Sequence, residues 1–391
     1  MKQVKLGEIC EVVSGSTPKT NIAEYWDGDL EWITPAELDD ETYIIKESHR
    51  KITRAAVQKT GLKPFPKGTV ILSSRAPIGK VAIAGKEMYC NQGFKNLICS
   101  ESVDNRYLYW YLKGHTDYLN ALGRGATFKE LSKNIVENIE IPLPELDKQI
   151  MYSNILKKCC DIMMVLKQQM TQYELLIKSR FVELFGDPSI NPKGWNEVNI
   201  SEITSGKVSN GFFAKRSDYI KDGNVSVLGV ANVVNRMYSQ CKNLPKAYGT
   251  KSDIKKFQVQ YGDLLFCRSS LVAEGIGKAS VVPVDVPKGV LFECHVIRLV
   301  LDLEKCVPEY IQMLTTTDYY RKQILAQSKT ATMTTIGQDG ILKTNVLLPP
   351  VELQKQFLHV VQQTEKLKSI TQKSINELQL LFDSLMQKYF G

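Results

Sequence analysis

The chain has 391 residues, 43% of them hydrophobic and 24% charged, and a formal net charge of +8. This length suits two or more domains, and the composition is that of an ordinary globular protein. No apolar run approaches the roughly 20 residues of a bilayer-spanning helix, and the sequence near residue 1 has no signal-peptide core. These features exclude a membrane protein and predict a cytoplasmic location.

Cysteine and histidine usage argues against a metal site. The chain has nine cysteines and four histidines, and only Cys159 and Cys160 are neighbours in the sequence. No CxxC pair occurs, so we expect neither a zinc site nor a disulfide framework. Free thiols in a reducing compartment are the prediction.

The first segment, residues 1–144, is predicted to alternate short strands with polar loops. Residues 69–72 and 80–84 are rich in β-branched side chains, which favours strands. They flank a loop at residues 73–79, and residues 107–118 predict a helix with an aromatic face. This mixture indicates an α+β domain.

Residues 145–185 are predicted to form an unusually long helix, since they contain neither proline nor glycine. Pro144 precedes them and Gly186 follows, as expected for the start and the end of a helix. About forty helical residues span roughly 60 Å, which exceeds the length of an ordinary globular helix. The apolar residues that recur at spacings of three and four are Ile155, Cys159, Ile162, Leu166, Met170, Tyr173, Ile177, Phe181 and Leu184.

The second segment, residues 187–351, repeats the plan of the first and contains 20 lysines and arginines against 15 aspartates and glutamates. Strands are predicted at residues 263–266 and 278–283, around a longer loop at 267–277, and a helix at 309–327. The basic balance fits nucleic-acid binding.

Residues 352–390 are predicted to form a second long helix, between Pro350 and Gly391. The spacing of its apolar residues indicates a coiled-coil seam, interrupted by polar Thr364 and Ser374. Because a folded segment lies between the two helices, antiparallel pairing is favoured; two core helices in separate domains are the alternative. The apolar positions are Phe357, Val360, Leu367, Ile370, Leu378, Leu381, Leu385 and Tyr389.

A duplication with a period near 205 residues relates the two halves. Its landmarks pair Gly186 with Gly391, Ala126, Thr127 and Phe128 with Ala331, Thr332 and Met333, and residues 145–149 with 352–356. We therefore predict an α+β fold in which two globular mixed α/β domains are separated by two long helices that pair as an antiparallel coiled coil. The predicted domains are residues 1–144 and 187–351, and the predicted helical segments are 145–186 and 352–391.

Two loops carry arginine beside small hydroxyls and are candidates for binding nucleic acid. Arginine can contact the two acceptors of guanine in the major groove or a phosphate, and serine can assist at either. The alternative is a turn in which the arginine pairs with a local carboxylate. The residues are Ser73, Ser74 and Arg75 in the first segment and Arg268, Ser269 and Ser270 in the second.

Other loop residues have side chains suited to bases or phosphates. Asn91 and Gln92 carry amides that can contact adenine, although asparagine also caps turns. A solvated loop without a partner is the alternative for each of the residues predicted to hold phosphates. These are Thr17, Lys19, Lys215 and Arg216.

Catalytic motifs are missing from the sequence. Residues 275–280 resemble a phosphate-binding loop but lack its first glycine and its Lys-Ser/Thr step. Neither a nucleophile elbow nor a His-Glu-x-x-His zinc motif occurs, and Glu137 and Glu140 lie in a strand-like context. The sequence therefore predicts a binding protein.

Several motifs occur in a fixed order along the chain, at residues 15–18, 25–29, 32–35, 73–79, 91–94, 141–149, 262–269 and 348–356. Together they resemble the DNA-specificity subunit of type I restriction–modification systems. The resemblance covers essentially the whole chain. In the second segment we take residues 292–295 as the counterpart of residues 91–94, and the match there is weaker.

The resemblance implies two target recognition domains, each of which recognises one half of a bipartite, asymmetric double-stranded DNA target. The paired helices would set the gap and dock two adenine methyltransferase subunits and, in a restricting complex, two translocating nuclease subunits. S-adenosylmethionine, ATP and Mg²⁺ would bind those partners, so no cofactor or metal is expected on this chain. An interaction scaffold without DNA specificity and a stand-alone nuclease are the alternatives. The expected DNA-binding residues are Thr17, Lys19, Ser73, Ser74, Arg75, Asn91, Gln92, Lys95, Lys129, Lys215, Arg216, Arg268, Ser269, Ser270, Lys278, His295 and Lys329.

Overall fold

A computed structural model describes residues 2–39, 41–125, 129–330 and 332–391, with the side chain of Arg216 excepted. It divides into two compact units, Met1–Lys167 with Lys373–Gly391, and Gln168–Gln372. The landmark at residues 126–128 and Ala331 lies outside the described residues, and the predicted domain boundaries remain a prediction. Within the described ranges, no helix combines the length and the apolar character that crossing a membrane requires.

In the part of the chain that the structure describes, the globular region of the first unit contains short strands, five short α-helices and two 3-10 helices at Ala23–Tyr25 and Pro35–Glu37. The strands are β1 Lys2–Lys5, β2 Cys10–Ser14, β3 Trp26–Ile33, β4 Ile44–Ile45, β5 Arg50–Ile52, β6 Val70–Leu72, β7 Val81–Ala84, β8 Tyr89–Cys90, β9 Lys95–Cys99 and β10 Glu140–Leu143. The helices are α1 Leu6–Ile9, α2 Arg54–Thr60, α3 Asn105–Gly114, α4 Thr116–Leu122 and α5 Lys133–Glu137. The long helix α6, Leu146–Phe185, follows and continues into the second unit.

The described strands of the first unit form three sheets. Five strands lie in the order β2-β9-β6-β7-β4, three in the order β5-β3-β8, and β1 pairs with β10. Both strands predicted around the loop at 73–79 are present and antiparallel, with Leu72 opposite Val81. Glu137, which we predicted in a strand-like context, ends α5, whereas Glu140 begins β10.

The second unit repeats this mixture of strands and helices. The strands are β11 Asn196–Asn199, β12 Ser209–Asn210, β13 Val225–Leu228, β14 Lys246–Ala247, β15 Leu264–Cys267, β16 Ser269–Ser270, β17 Ala279–Val281, β18 Val290–Phe292, β19 Val296–Leu299, β20 Lys329–Thr330, β21 Thr334–Thr335 and β22 Asn345–Leu348. The helices are α7 Lys251–Phe257, α8 Pro308–Thr315, α9 Asp318–Gln327, α10 Gln338–Leu342 and the long α11 Val351–Phe390. The central sheet has the order β12-β19-β15-β17, which matches β2-β9-β6-β7. The predicted α+β fold of the two domains is confirmed.

Each predicted single helix after the sheet is broken into two. The aromatic face predicted for residues 107–118 is present on α3, where Tyr107 and Trp110 are buried. The hydroxyl of Thr116 donates to Lys113 O at 3.2 Å, and that of Thr316 donates to Met313 O at 2.7 Å. Such side-chain bonds to backbone carbonyls compete with helical hydrogen bonds, and a threonine makes one beside the break in each domain.

The two long helices pair in opposite directions. Within the second unit, the carboxylate of Glu174 lies 4.0 Å from Lys368 Nζ, and the ring of Phe181 lies 5.5 Å from that of Phe357. From the first of these contacts to the second, the residue number rises along α6 and falls along α11, so the two helices are antiparallel. This confirms the predicted antiparallel coiled coil and argues against the alternative of two core helices in separate domains.

The seam of α11 differs from the predicted one. Leu367, Ile370 and Leu381 were predicted inside but are 46%, 55% and 49% exposed, whereas Thr364 and Thr371 are buried. The Thr364 hydroxyl donates to Val360 O at 2.8 Å, so its burial leaves no donor unsatisfied. Threonine was wrongly treated as an interruption. On α6, Ile162 is likewise exposed, while Leu156 and Met163 are buried.

Candidate nucleic-acid interface

Three loops of the first unit lie at one end of its five-stranded sheet. β2 ends at Ser14, opposite Lys95 at the start of β9, and β6 runs antiparallel to β9. The loops at residues 15–20, 73–79 and 91–94 therefore share this end. The amide of Ser74 donates to Gly93 O at 2.8 Å, which joins two of the loops directly.

The two serines of the loop at 73–79 lie inside the fold. Ser73 and Ser74 are fully buried. The Ser73 hydroxyl donates to Pro77 O at 2.7 Å and accepts from Lys80 N at 2.8 Å. Both serines were predicted to contact DNA, and this remains a prediction. In the structure Ser73 closes the loop, and Arg75 is half-exposed at its tip.

Arg75 and Lys95 share one carboxylate, that of Glu130. The distance from Arg75 Nη1 to Glu130 Oε2 is 3.9 Å, and that from Lys95 Nζ to Glu130 Oε1 is 3.3 Å. The Lys95 side chain is only 8% exposed, whereas that of Glu130 is 41% exposed. Arg75 therefore has a local carboxylate partner, which is the alternative to DNA contact that we considered from the sequence. Lys129 beside them is exposed.

The loop at residues 15–20 is fastened to the fold by two tryptophans. Trp32 Nε1 donates to Ser16 O at 3.1 Å, and Trp26 Nε1 donates to Lys19 O at 3.2 Å. Because these bonds use backbone oxygens, the exposed side chain of Lys19 stays available to a ligand.

The same loop contacts the turn at residues 91–94. A Cβ at Gly15 would lie 2.0 Å from Cys90 O, so only glycine permits this close approach. The Thr17 hydroxyl donates to Gln92 Oε1 at 2.5 Å, and both side chains are exposed. Asn91 Oδ1 accepts from Gly93 N at 2.8 Å, which is the turn-capping role that we considered as the alternative.

Backbone hydrogen bonds identify the equivalent loop in the second unit. Cys267 N donates to Lys278 O at 2.9 Å and Gly277 N to Cys267 O at 2.8 Å, as Ser73 and Gly79 do in the first unit. Cys267 thus corresponds to Ser73, and Arg268 corresponds to Ser74. The two arginines, which the motif comparison treated as a repeat, therefore occupy different positions.

The turn after β18 shows a similar shift of one residue. Asn91 N donates to Ile33 O at 3.0 Å, and Glu293 N donates to Leu228 O at 2.9 Å. In both units, these bonds extend a parallel strand pair, β3 with β8 and β13 with β18. Residues 293–296 are therefore the counterpart of 91–94, and the predicted counterpart, 292–295, was wrong by one position.

Several predicted residues of the second unit meet around this turn. Arg268 Nη1 donates to Cys294 O at 3.2 Å, and Ser269 Oγ lies 3.2 Å from His295 Nδ1. Ser269 pairs with Thr335 in β21, and the exposed Lys329 in β20 pairs with the same residue.

The remaining predicted residues lie nearby or bond elsewhere. Ser270 Oγ accepts from Val272 N at 3.3 Å, and Lys278 Nζ donates to Asn235 Oδ1 at 2.6 Å. Lys215 is exposed. The side chain of Arg216 lies outside the described part of the chain.

The cysteines near the candidate DNA-binding loops of the two units are suited to packing and not to nucleophilic chemistry. Burial raises the pKa of the Cys90 thiol to about 12 and raises the pKa of the thiols of Cys267 and Cys294. These sulfurs stay protonated at neutral pH, and a thiol is a poor nucleophile. In the described ranges, no group of three or more histidine, cysteine, aspartate or glutamate residues could hold a metal ion.

Sequence reasoning missed two features of these faces. Glu130 was overlooked, although its position next to Lys129 could have drawn attention to a carboxylate among predicted cations. Leu271 and Val272, which are 82% and 60% exposed, lie in the longer loop of the second unit. The extra length of that loop was the available signal.

Comparison with known proteins gives consistent matches. A family model described as type I restriction modification DNA specificity domain matches residues 1–172 and 192–380. The chain is 30% identical to the specificity subunit of the type I restriction enzyme MjaIX of Methanocaldococcus jannaschii, with 98% of this chain and 91% of that protein covered.

Two solved structures share the fold. The S subunit of a type I restriction–modification system from M. genitalium superposes with a TM-score of 0.63 at 12% identity, covering 100% of this chain and 96% of that one. A chain from a structure concerned with complex assembly and conformational transition of the type I R-M system gives a TM-score of 0.59 at 18% identity, covering 99% and 97%.

Proposed function

We propose a function that proceeds from one premise: the chain belongs to the type I restriction modification DNA specificity family. It is accordingly a non-catalytic subunit that recognises DNA sequence for a type I restriction–modification system. Beyond this, we propose that the domains at residues 1–144 and 187–351 each recognise one half of a bipartite, asymmetric target. The protein acts in the cytoplasm, where it reaches chromosomal DNA.

One observation carries the proposal of two different half-sites: equivalent backbones present different side chains. Ser269 takes the position of Arg75, because Ser269 lies two residues after Cys267 and Arg75 lies two residues after the equivalent Ser73. Leu131 N donates to Ser74 O at 2.9 Å and Ile336 N to Arg268 O at 3.0 Å, so Glu130 is replaced by Thr335. A guanidinium–carboxylate pair and a pair of hydroxyls offer a duplex different hydrogen-bonding groups.

The burial of the side chains refines which residues contact DNA. In the first domain we assign DNA contacts to Arg75 and the exposed residues of the same end, and an internal role to Ser73, Ser74, Asn91 and Lys95. In the second domain the contacts come from the loops around the turn at 293–296. The assigned contacts are Thr17, Lys19, Arg75, Gln92 and Lys129, and then Lys215, Arg268, Ser269, His295 and Lys329.

The long helices are proposed to set the spacer and to dock partner subunits. Each has 40 residues, or roughly 60 Å at about 1.5 Å per residue. We propose that two adenine methyltransferase subunits bind this scaffold, with two restriction subunits in a restricting complex. S-adenosylmethionine, ATP and Mg²⁺ are proposed to bind those partners and not this chain.

Mapping methylated adenines tests the proposal. Genomic DNA is compared between cells that express this chain with its methyltransferase partner and cells that lack only this chain. We expect a bipartite motif with a fixed gap that is methylated only in the first sample. Identical methylation in both samples would refute sequence recognition by this chain. A single continuous motif would refute the two-domain division of the target.

Binding to DNA separates the proposal from a pure interaction scaffold. The complex with its methyltransferase partner should shift a random duplex at low salt, with an affinity that falls steeply as salt rises, because lysines and arginines displace counterions from phosphates. The absence of any shift at low salt would favour the scaffold.

A further inference from the structure

We infer that Leu271 and Val272 contact thymine 5-methyl groups in the major groove, so that the second recognition domain recognises thymine through apolar contact. The inference rests on the proposed function, since it requires that this domain contacts DNA. It adds apolar recognition of a methyl group on the DNA, whereas the other residues assigned to DNA contact have polar side chains.

Leu271 and Val272 are large, apolar and open to solvent, and they lie in a loop. They are 82% and 60% exposed, and they are neighbours in the sequence. Exposed apolar side chains that occur singly need no explanation, but adjacent ones mark a contact surface when they lie at a binding face.

The loop that carries them is held in one conformation by contacts at its base. Arg321 Nη1 donates to Ile276 O at 2.6 Å, and its Nη2 donates to Glu274 O at 3.3 Å. A Cβ at Gly275 would lie 2.3 Å from Ser270 Oγ, so the chain closes tightly behind the tip. A tip fixed in this way loses little conformational entropy when it binds.

The loop that carries the tip starts among the groups assigned to DNA contact. β15 ends at Cys267 immediately before the loop, and Ser269, two residues before Leu271, lies beside His295. Polar side chains that can bond to base edges or phosphates thus lie at the start of the loop that carries the apolar pair. This continuity with the proposed interface favours DNA as the occupant.

Among the groups exposed in the major groove, the thymine methyl is the one that an aliphatic side chain can recognise. The equivalent loop of the first domain is shorter: five residues separate Ser73 from Gly79, against nine between Cys267 and Gly277. The additional residues are those that carry the apolar tip.

Uracil substitution provides a direct test, because it removes the methyl group and leaves base pairing intact. The full complex is titrated with duplexes that contain the mapped target, in which each thymine of the second half-site is replaced singly by uracil. For at least one position we expect wild-type affinity to fall about four-fold, the factor that corresponds to about 0.8 kcal/mol for one buried methyl-sized group.

A double variant closes a thermodynamic cycle. L271A/V272A should bind the thymine duplex more weakly than wild type and should show no further loss with uracil at that position. Val284→Ala is the matched control, because Val284 is 80% exposed and follows β17 at the opposite end of the sheet. It should retain the full response to uracil.

Each contrary outcome is distinct. A second half-site without thymine, an unchanged affinity for every uracil duplex, or equal loss by the double variant on both duplexes would overturn the inference. So would impaired assembly with the methyltransferase at unchanged DNA affinity, which would identify a protein-docking tip. If wild type has no bipartite target at all, the proposed function itself fails.

Discussion

The side-chain oxygen of Gln354 accepts a hydrogen bond from the buried amide of Val307 at 2.8 Å, while its amide donates to Pro349 O at 2.8 Å. Gln149 makes the same bonds to Asp104 N and Pro144 O in the first unit. These two glutamines are therefore equivalent, with a spacing of 205 residues, and each connects its domain to the start of a long helix.

Gln354→Ala should lower the free energy of unfolding by roughly 2–3 kcal/mol, because it leaves a buried donor and a buried acceptor without partners. Gln356→Ala is the control, since this exposed neighbour was the expected counterpart of Gln149 and should change stability by less than about 0.5 kcal/mol. Urea unfolding of both variants checks the prediction. Equal effects would show that the buried bonds contribute nothing measurable.

Glu31 should make the protein sensitive to acid. Burial raises the pKa of this carboxyl, but hydrogen bonds from Lys86, Ser48 and Lys51 outweigh that effect and lower the pKa from 4.5 to about 2. Because the folded-state pKa is the lower one, this stabilisation is present above about pH 4.5 and is lost as the pH falls towards 2. It amounts to about 2–3 kcal/mol at neutral pH.

Glu31→Gln should therefore be less stable than wild type at pH 7, with the difference shrinking below about pH 4.5. Denaturant titrations between pH 7 and pH 3 measure it, with Glu24→Gln as an exposed control. A difference that does not depend on pH would contradict the assigned ion pairs.

Arg75→Ala should weaken binding to the mapped target by about 1–3 kcal/mol and relax specificity at one position of one half-site. The reason is that a guanidinium can bond two acceptors of a single base. Affinities for a set of single-base target variants measure this. Uniform weakening across all variants would make Arg75 a phosphate contact.

Glu130→Gln should strengthen binding to random duplex by a factor of about 1.4 to 5, the range that corresponds to 0.2–1 kcal/mol for partly exposed ion pairs. The carboxylate lies 3.9 Å from Arg75 Nη1, so its neutralisation frees this half-exposed cation for a phosphate, while the buried Lys95 keeps its internal role. The slope of log affinity against log salt should steepen by about one. Lys129→Gln removes a cation and serves as the control: it should make that slope shallower. If Glu130→Gln also makes the slope shallower, Glu130 does not compete with DNA phosphates for a cation.

Lengthening both long helices tests whether they set the spacer. Seven additional residues in each helix preserve the heptad seam and add roughly 10 Å, or about three base pairs of B-DNA. The mapped motif should keep both half-sites and gain a longer gap. Altered half-sites with an unchanged gap would show that the helices do not set the spacing.

The sequence by itself determined the long helices and the duplication. Proline before and glycine after about forty uninterrupted residues act on the local backbone, so the bounds Leu146–Phe185 and Val351–Phe390 lie within one residue of the prediction. The strands around the loop at 73–79 were equally accessible, because β-branched side chains favour extended backbone locally.

Only the tertiary structure decided which residues face solvent and which positions correspond. Ser73 and Lys95 carry groups that suit DNA, yet neighbouring loops bury them, and no local pattern encodes that burial. The similar sequences at 145–149 and 352–356 align Gln149 with Gln356, whereas the hydrogen bonds show that Gln149 is equivalent to Gln354, two residues earlier. That equivalence depends on hydrogen bonds to residues more than forty positions away, which form only once each domain has folded.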